Sequence, residues 1–249
     1  MSLPSTVIGV QCRLSSSRLP CKALLELADT TILGMCLERA KIAGYPVFIL
    51  TSDRQEDDLI AQSASRYGVD GVIRGSLDNV LSRYVSLAEE VSCDYIVRVT
   101  ADNPLTEFSF IKSLMQYVSL HSLPYSWIEP SICPEGTNLE IFSKEALYDS
   151  AAFDSSSSNL EHVTTYMRRN LSSDRCLNEA VSKYFPFNCA KLSFTVDTLS
   201  DYVGLVKLTN AVFQKFGICW RSPEFVRVCA QFAVNYSNFY AKERNHSVE

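Results

Sequence analysis

With 249 residues, 47% of them hydrophobic and 20% charged, the chain can bury a substantial core in one large domain, with room for a subdomain. Its net charge of −5 argues against nucleic acid or an anionic membrane as the principal partner. Nine scattered cysteines, with no CxxC pair and no Cys/His metal spacing, read for the most part as reduced core residues; with no signal-peptide pattern and no 18-residue apolar run, the chain is placed in the cytoplasm.

In chain order, Thr6 to Val10 is a short apolar run that predicts a buried strand, and QCRLSSSRLPCK (Gln11 to Lys22) follows it directly. Three cations (Arg13, Arg18, Lys22) and three consecutive hydroxyls (Ser15, Ser16, Ser17) crowd into this stretch. Guanidinium forks, an ammonium and hydroxyls are the groups that hold polyphosphate oxygens. In open α/β sheets, ligands sit beyond the carboxyl ends of the strands, where this loop falls. A solvated basic turn is the other reading of the same residues.

Leu33, Cys36, Leu37 and Ala40 share one helical face before Gly44 and Pro46. The apolar run Val47 to Ser52 predicts a second strand, residues 57 to 67 a helix stopped by Gly68, and Gly71 to Ile73 a third strand. Next, RGSLDNVLSRY (Arg74 to Tyr84) opens an amphipathic helix with Ser76 expected at its N-cap; its apolar stripe runs from Leu77 to Val91. Arg74 would stand at the same rim as Arg13, where its donors could read a base edge, or it could pair with Asp78 alongside Arg83. Tyr95 to Thr100 predicts a fourth strand. Strand alternating with helix over a hundred residues specifies a doubly wound α/β domain with a mostly parallel sheet.

Beyond Leu105 the rhythm loosens. A helix over 108–120 gives way to Pro124, Pro130 and Pro134, an extended NLEIF (Asn138 to Phe142), and helical stretches over 145–153 and 159–169. Residues 122 to 190 are expected to form a small lobe inserted into the sheet domain. Leu192 to Val196 predicts a return to the main sheet, followed by helices over 200–216 and 222–241 and a frayed RNHSVE end.

Two aspartates stand just past predicted strand ends, Asp102 in TADNP and Asp197 in FTVDT. Mg²⁺ takes one or two protein carboxylates plus phosphate oxygens, so this pair facing a basic loop suits a magnesium nucleotide. Each aspartate also suits a helix cap, and Asp201 reads as a first-turn helix residue. There is no GxGxxG, no GxxxxGK[ST], no GxSxG and no HExxH.

These pieces resemble the CMP-sugar-acid synthetases, the cytidylyltransferases that activate Kdo, sialic and pseudaminic acid-like sugars, and most closely the SpsF branch of spore coat polysaccharide biosynthesis. RLSSSRLPCK is similar to the R-x-x-S-x-R-L-P-G-K loop of that family. RGS-x-x-(D/N)VL-x-RY, R-x-TxDxPL, G-x-x-x-E-x-F, EHVT and TVDT-x-x-D follow in the same order, between residues 8 and about 205. The resemblance implies a nucleotide-diphosphosugar transferase fold, with helices on both faces of the sheet and a small lobe used in dimer formation. It implies attack of a sugar-acid hydroxyl on the α-phosphate of CTP, releasing pyrophosphate, in a homodimer. Carried onto this chain, Arg13, Ser15, Arg18 and Lys22 hold the triphosphate, Asp102 and Asp197 hold Mg²⁺, and Arg74 and Ser76 lie near the base. Asn138, Glu140, Glu161 and His162 then face the acceptor sugar. The chain departs from the pattern at Cys21, where the family has glycine, and at Asn138, where it often has aspartate. Two other readings stand beside it: a glycosyltransferase of similar architecture, normally marked by D-x-D where this chain has Ala101-Asp102-Asn103, and a nucleotide-binding protein impaired by Cys21.

Overall fold

The computed structural model describes residues 4–171, 178–189 and 191–236. β1 (Thr6–Gln11) is followed by a loop and a small antiparallel pair, β2 (Glu26–Leu27) with β3 (Thr30–Thr31). Then come α1 (Ile32–Ile42), β4 (Val47–Ser52), α2 (Asp58–Tyr67), β5 (Gly71–Gly75), α3 (Val80–Glu90), β6 (Tyr95–Thr100) and α4 (Ile111–His121). The second half supplies β7 (Tyr125–Trp127), β8 (Glu140–Ser143), α5 (Lys144–Phe153), α6 (Ser157–His162), α7 (Thr165–Asn170), α8 (Asn178–Tyr184), α9 (Leu199–Phe216) and α10 (Phe225–Asn235).

Six strands form one sheet in the order β5-β4-β1-β6-β8-β7. β1, β4, β5 and β6 run parallel, while β8 pairs antiparallel with both β6 and β7. The period-two geometry of the strands splits their apolar runs between two cores. Ile8, Val10, Ile49, Val97 and Val99 face α1, α4, α9 and α10. Val7, Leu50, Ile73, Ile96 and Phe142 face α3, α5 and α7. Gly9 permits the close approach of α3, because a Cβ there would meet Tyr84 Cε1 at 2.7 Å.

Three sequence expectations are corrected. Leu192 to Val196 is not a strand of the main sheet: the free edge of β6 is taken by β8, and this segment makes only an isolated bridge, Glu135 with Ser193. It is fixed by backbone bonds from Phe194 N to Glu135 O and from Val196 N to Asp102 O, with Phe194 and Val196 buried. The helix expected over 159–169 is two helices, interrupted at Val163, whose φ is 67°, and Thr164. The cap of α3 is Asn79, whose Oδ1 accepts from Ser82 N at 2.9 Å; Ser76 accepts from Asn79 N, one turn before the helix. The 122–190 segment contributes β7 and β8 to the main sheet and α5 to α7 to one of its faces. The residues predicted to be helical beyond 236, and RNHSVE, lie outside the described residues.

Candidate active site

The loop after β1 is held in shape by a buried carboxylate. Asp57 is fully buried; its Oδ1 accepts from Leu14 N at 2.8 Å and its Oδ2 from the hydroxyl of Ser52, at the end of β4. Leu14 O in turn accepts from Ser16 N and Cys21 N, so the loop closes on itself and delivers Lys22 to a single turn of 3₁₀ helix. Each backbone group secured in this way fixes the origin of a cation that the loop carries.

Lys22 Nζ stands between two carboxylates. It donates to Asp102 Oδ2 at 2.8 Å, to Asp197 Oδ1 at 3.0 Å and to Val196 O at 2.8 Å. Burial draws the ammonium pKa down, but Asp102 and Asp197 outweigh that effect and leave it above the ordinary lysine value, so the group is a fixed cation at neutral pH. The other half of the pair is positioned by α9. Thr198 is the N-cap of that helix and exchanges capping-box bonds with Asp201, and Asp201 Oδ2 also accepts from Asp197 N at 3.0 Å. Asp201 is thus the first-turn residue expected from the sequence. The Asp197 carboxylate is left facing the cavity rather than capping the helix.

Around this centre lies an open cavity of about 390 Å³, walled by the loop after β1, the ends of β1 and β6, and side chains from α3 and α6. Arg13, Ser16, Ser17, Arg18 and Lys22 line it from the loop, with Asp102 and Asp197 beside them. Arg18 pairs with Asp197 at 3.2 Å, and Arg13 reaches across to Glu161 at 3.1 Å. Glu161 and His162 come from the last turn of α6, which is capped by Ser156. Seven residues singled out in the sequence therefore converge: Arg13, Arg18, Lys22, Asp102, Asp197, Glu161 and His162.

Five others stand elsewhere. Ser15 is exposed outside the lining, where its neighbours Ser16 and Ser17 take the place expected of it. Arg74 does not reach the rim. It donates to Ser52 O and Arg54 O and pairs with Asp58 at 2.6 Å, because carbonyls and a carboxylate close to its own strand engage each of its three nitrogens. Ser76 is exposed, and neither it nor Asn138 lines the cavity. Glu140 lies one layer beneath it: Arg98 Nη1 donates to Glu140 at 2.8 Å, while Tyr125, Thr164 and Arg168 bind the same carboxylate.

Sequence reasoning passed over Arg98 and gave Arg83 only an ion pair. Both line the cavity. Arg98 interrupts the apolar run Ile96-Val97-Val99, and Arg83 falls on the apolar stripe of α3; a charge on a face that should be buried was the available signal.

Among the described residues, no group of three or more His, Cys, Asp or Glu side chains could hold a metal by itself. Asp102 and Asp197 do converge on one point, now filled by a cation, and two carboxylates completed by phosphate oxygens form a donor set that suits a hard divalent ion. No helix among the described residues is long and apolar enough to cross a membrane.

Comparison with known proteins identifies the family of the chain. An uncharacterised protein of Methanocaldococcus jannaschii is 32% identical over 199 residues, 79% of this chain and 80% of that protein. The spore coat polysaccharide biosynthesis protein SpsF of Bacillus subtilis is 29% identical over 222 residues, 84% of this chain and 86% of that protein. A solved cytidylyltransferase structure from Leptospira borgpetersenii superposes with a TM-score of 0.76 at 26% identity, covering 97% of this chain and 98% of its own. The cytidylyltransferase family model matches residues 7–175, from β1 to beyond α7, and the chain therefore belongs to the cytidylyltransferase family and is a CTP-dependent nucleotidyltransferase.

Proposed function

We propose that the enzyme transfers CMP from CTP to a hydroxyl of a sugar acid of the Kdo, sialic or pseudaminic class, with release of pyrophosphate. The observation that carries this reading is the position of Lys22 Nζ within hydrogen-bond distance of both Asp102 and Asp197, in a cavity also lined by Arg13 and Arg18. Three cations and two carboxylates at one point suit a triphosphate with a divalent metal. They do not suit a covalent nucleophile.

Arg13, Arg18 and Lys22 neutralise the triphosphate and hold its α-phosphorus in line for the incoming hydroxyl. The new O–P bond forms as the bond to pyrophosphate breaks, and the cations stabilise the departing charge. Mg²⁺, which Asp102 and Asp197 would hold, supplies further neutralisation of phosphate oxygens as a Lewis acid. Glu161 and His162, on the wall contributed by α6, face the acceptor. Glu140 acts through Arg98, which it holds against the cavity by an ion pair.

The enzyme works in the cytoplasm, where nucleoside triphosphates are available, and as a homodimer through the 122–190 segment. The exposed Phe153, stacked on Tyr166 in that segment, is the surface feature that supports such an interface. A single species at twice the chain mass in analytical ultracentrifugation is expected.

The glycosyltransferase reading loses support at Asn103. Its amide donates to Thr100 Oγ1 at 2.6 Å, folded back against its own turn, so no second D-x-D ligand faces the cavity. The impaired-enzyme reading loses support at Cys21, which is exposed and outside the lining.

Incubation with CTP, Mg²⁺ and a panel of 2-keto sugar acids tests the proposal. Pyrophosphate release that depends on an acceptor is expected, and Asp102→Asn should abolish turnover while the circular dichroism spectrum stays unchanged. CTP binding without turnover on any acceptor, or transfer from a preformed nucleotide-sugar, would overturn it.

A further inference from the structure

Lys22 Nζ stands at the point where the two cavity aspartates meet. Asp102 Oδ2 at 2.8 Å, Asp197 Oδ1 at 3.0 Å and Val196 O at 2.8 Å give each of the three N–H groups of the ammonium an acceptor. The other oxygen of Asp197 is covered as well, by Arg18 at 3.2 Å. Two of the three cations suited to phosphate are therefore engaged by the two carboxylates suited to a metal.

The ion pairs of the loop are unequal. Arg13 with Glu161 and Arg18 with Asp197 each include a partner largely in solvent, where an ion pair contributes little. Lys22 is only 13% exposed and meets two carboxylates at once, so water screens its pairs far less. A divalent ion bound to the same oxygens, at about 2.0–2.1 Å for Mg²⁺, would set its charge against the ammonium in one small volume. One of the two cations must leave. The backbone of Lys22 is fixed in the 3₁₀ turn that ends the loop, but its stem is four flexible carbons, so the ammonium can change partners while its origin stays in place. Phosphate oxygens offer it acceptors of the same kind.

We infer that Lys22, with Arg18 on the outer oxygen of Asp197, masks the metal site until a polyphosphate draws both cations away, so that metal and nucleotide enter together and a metal ion alone is held weakly. The inference rests on the nucleotide reading above and gives Lys22 a second task, the exclusion of a bare metal ion. Such coupling is reciprocal: whatever the phosphates add to metal affinity, the metal adds to phosphate affinity.

Mn²⁺, which takes the same oxygen ligands as Mg²⁺, tests it through the electron paramagnetic resonance signal of the free ion, with no nucleotide present. Lys22→Met keeps most of the side-chain length without the ammonium and should bind Mn²⁺ at least about tenfold more tightly than the wild type. Adding Asp102→Asn to that variant should abolish the gain. Arg13→Gln removes an equal charge from the same cavity, but one paired with Glu161, and should change Mn²⁺ affinity by less than about twofold. An equal or weaker affinity in Lys22→Met overturns the inference, because nothing was masked. An equal gain from Arg13→Gln overturns it too, because the effect is then one of net charge. If Lys22→Met does not fold, Arg18→Gln decides: a gain of about two- to fivefold is expected, and no gain sinks the proposal. CTP titrated into the wild type with Mg²⁺ separates the two readings. A protein that binds no CTP refutes the nucleotide reading itself, whereas CTP binding without the gain in Mn²⁺ affinity refutes only the masking by Lys22.

Discussion

Cys21 adopts φ 58° and ψ 19°, the left-handed region, where its family pattern has glycine. A side chain there costs roughly 1–2 kcal/mol, and glycine would lose about 0.5–1 kcal/mol of that gain through its freer unfolded chain. Because the thiol lies outside the cavity lining, the cost falls on the backbone rather than on the ligand. Cys21→Gly should therefore raise the melting temperature slightly in a thermal scan and leave the calorimetric affinity for CTP unchanged. The buried thiols behave differently. Burial, with Asp102 and other neighbours adding to it, pushes Cys12 far up and Cys36 to about 12, and burial raises Cys229 as well. A raised thiol pKa keeps the unreactive protonated form well above neutrality. Iodoacetamide at pH 8 should label Cys21 in the folded protein and spare Cys12, Cys36 and Cys229 until denaturant is added, as read by peptide mass spectrometry. Among the charged residues, Arg13, Arg18, Lys22, Asp102 and Asp197 were legible in the sequence because charges directly after apolar runs lie at strand ends, where α/β sheets bind ligands. Arg74 was misread because the nearby carbonyls of Ser52 and Arg54, and Asp58, satisfy it.

Elements are tied together near the site by Glu140. Its carboxylate, on β8, binds Arg98 on β6, Tyr125 on β7 and Arg168 on α7, and its side chain is only 5% exposed. Breaking a buried pair by removing one partner costs about 3–5 kcal/mol, because the remaining charge is left uncompensated. The exposure of Arg168 places this case at the lower end, so Glu140→Ala should destabilise by about 3 kcal/mol in urea denaturation. Glu140→Gln, which keeps hydrogen-bonding oxygen without the charge, should fall between. Strands β1, β4 and β6 were legible because continuous apolar runs of five or six residues belong to strands covered on both faces. Leu192 to Val196 has the same composition but no free sheet edge to join, a tertiary fact that local sequence cannot carry. The N-cap of α3 was displaced from Ser76 to Asn79 because both residues offer an acceptor three positions before a backbone N–H, and Asn79 stands next to the first apolar residue of the helix, Val80.

At the scale of the whole molecule, the site is assembled from distant parts of the chain: Lys22 from the first loop, Asp102 from the end of β6, Glu161 from α6 and Asp197 from the segment before α9. None of these groups is near the others once the chain unfolds, so a ligand bridging them binds the native state alone. Lys22 already supplies one internal cation to the carboxylate pair, which keeps the unliganded site from carrying two opposed, uncompensated charges. Ligation adds to that stability by mass action. At a hundredfold excess over its dissociation constant, CTP should contribute about 2.7 kcal/mol, which for a chain of this size corresponds to roughly 5–10 °C in melting temperature. The shift should require Mg²⁺ for its full size, because Asp102 and Asp197 repel a bare triphosphate more than a metal-complexed one. Asp102→Asn removes one of those carboxylates and should lose the Mg²⁺-dependent part while retaining a metal-independent shift from Arg13, Arg18 and Lys22. A scan with CTP alone, CTP with Mg²⁺ and Mg²⁺ alone on both proteins measures this, and an equal Mg²⁺-dependent shift in the two would remove Asp102 from the metal site.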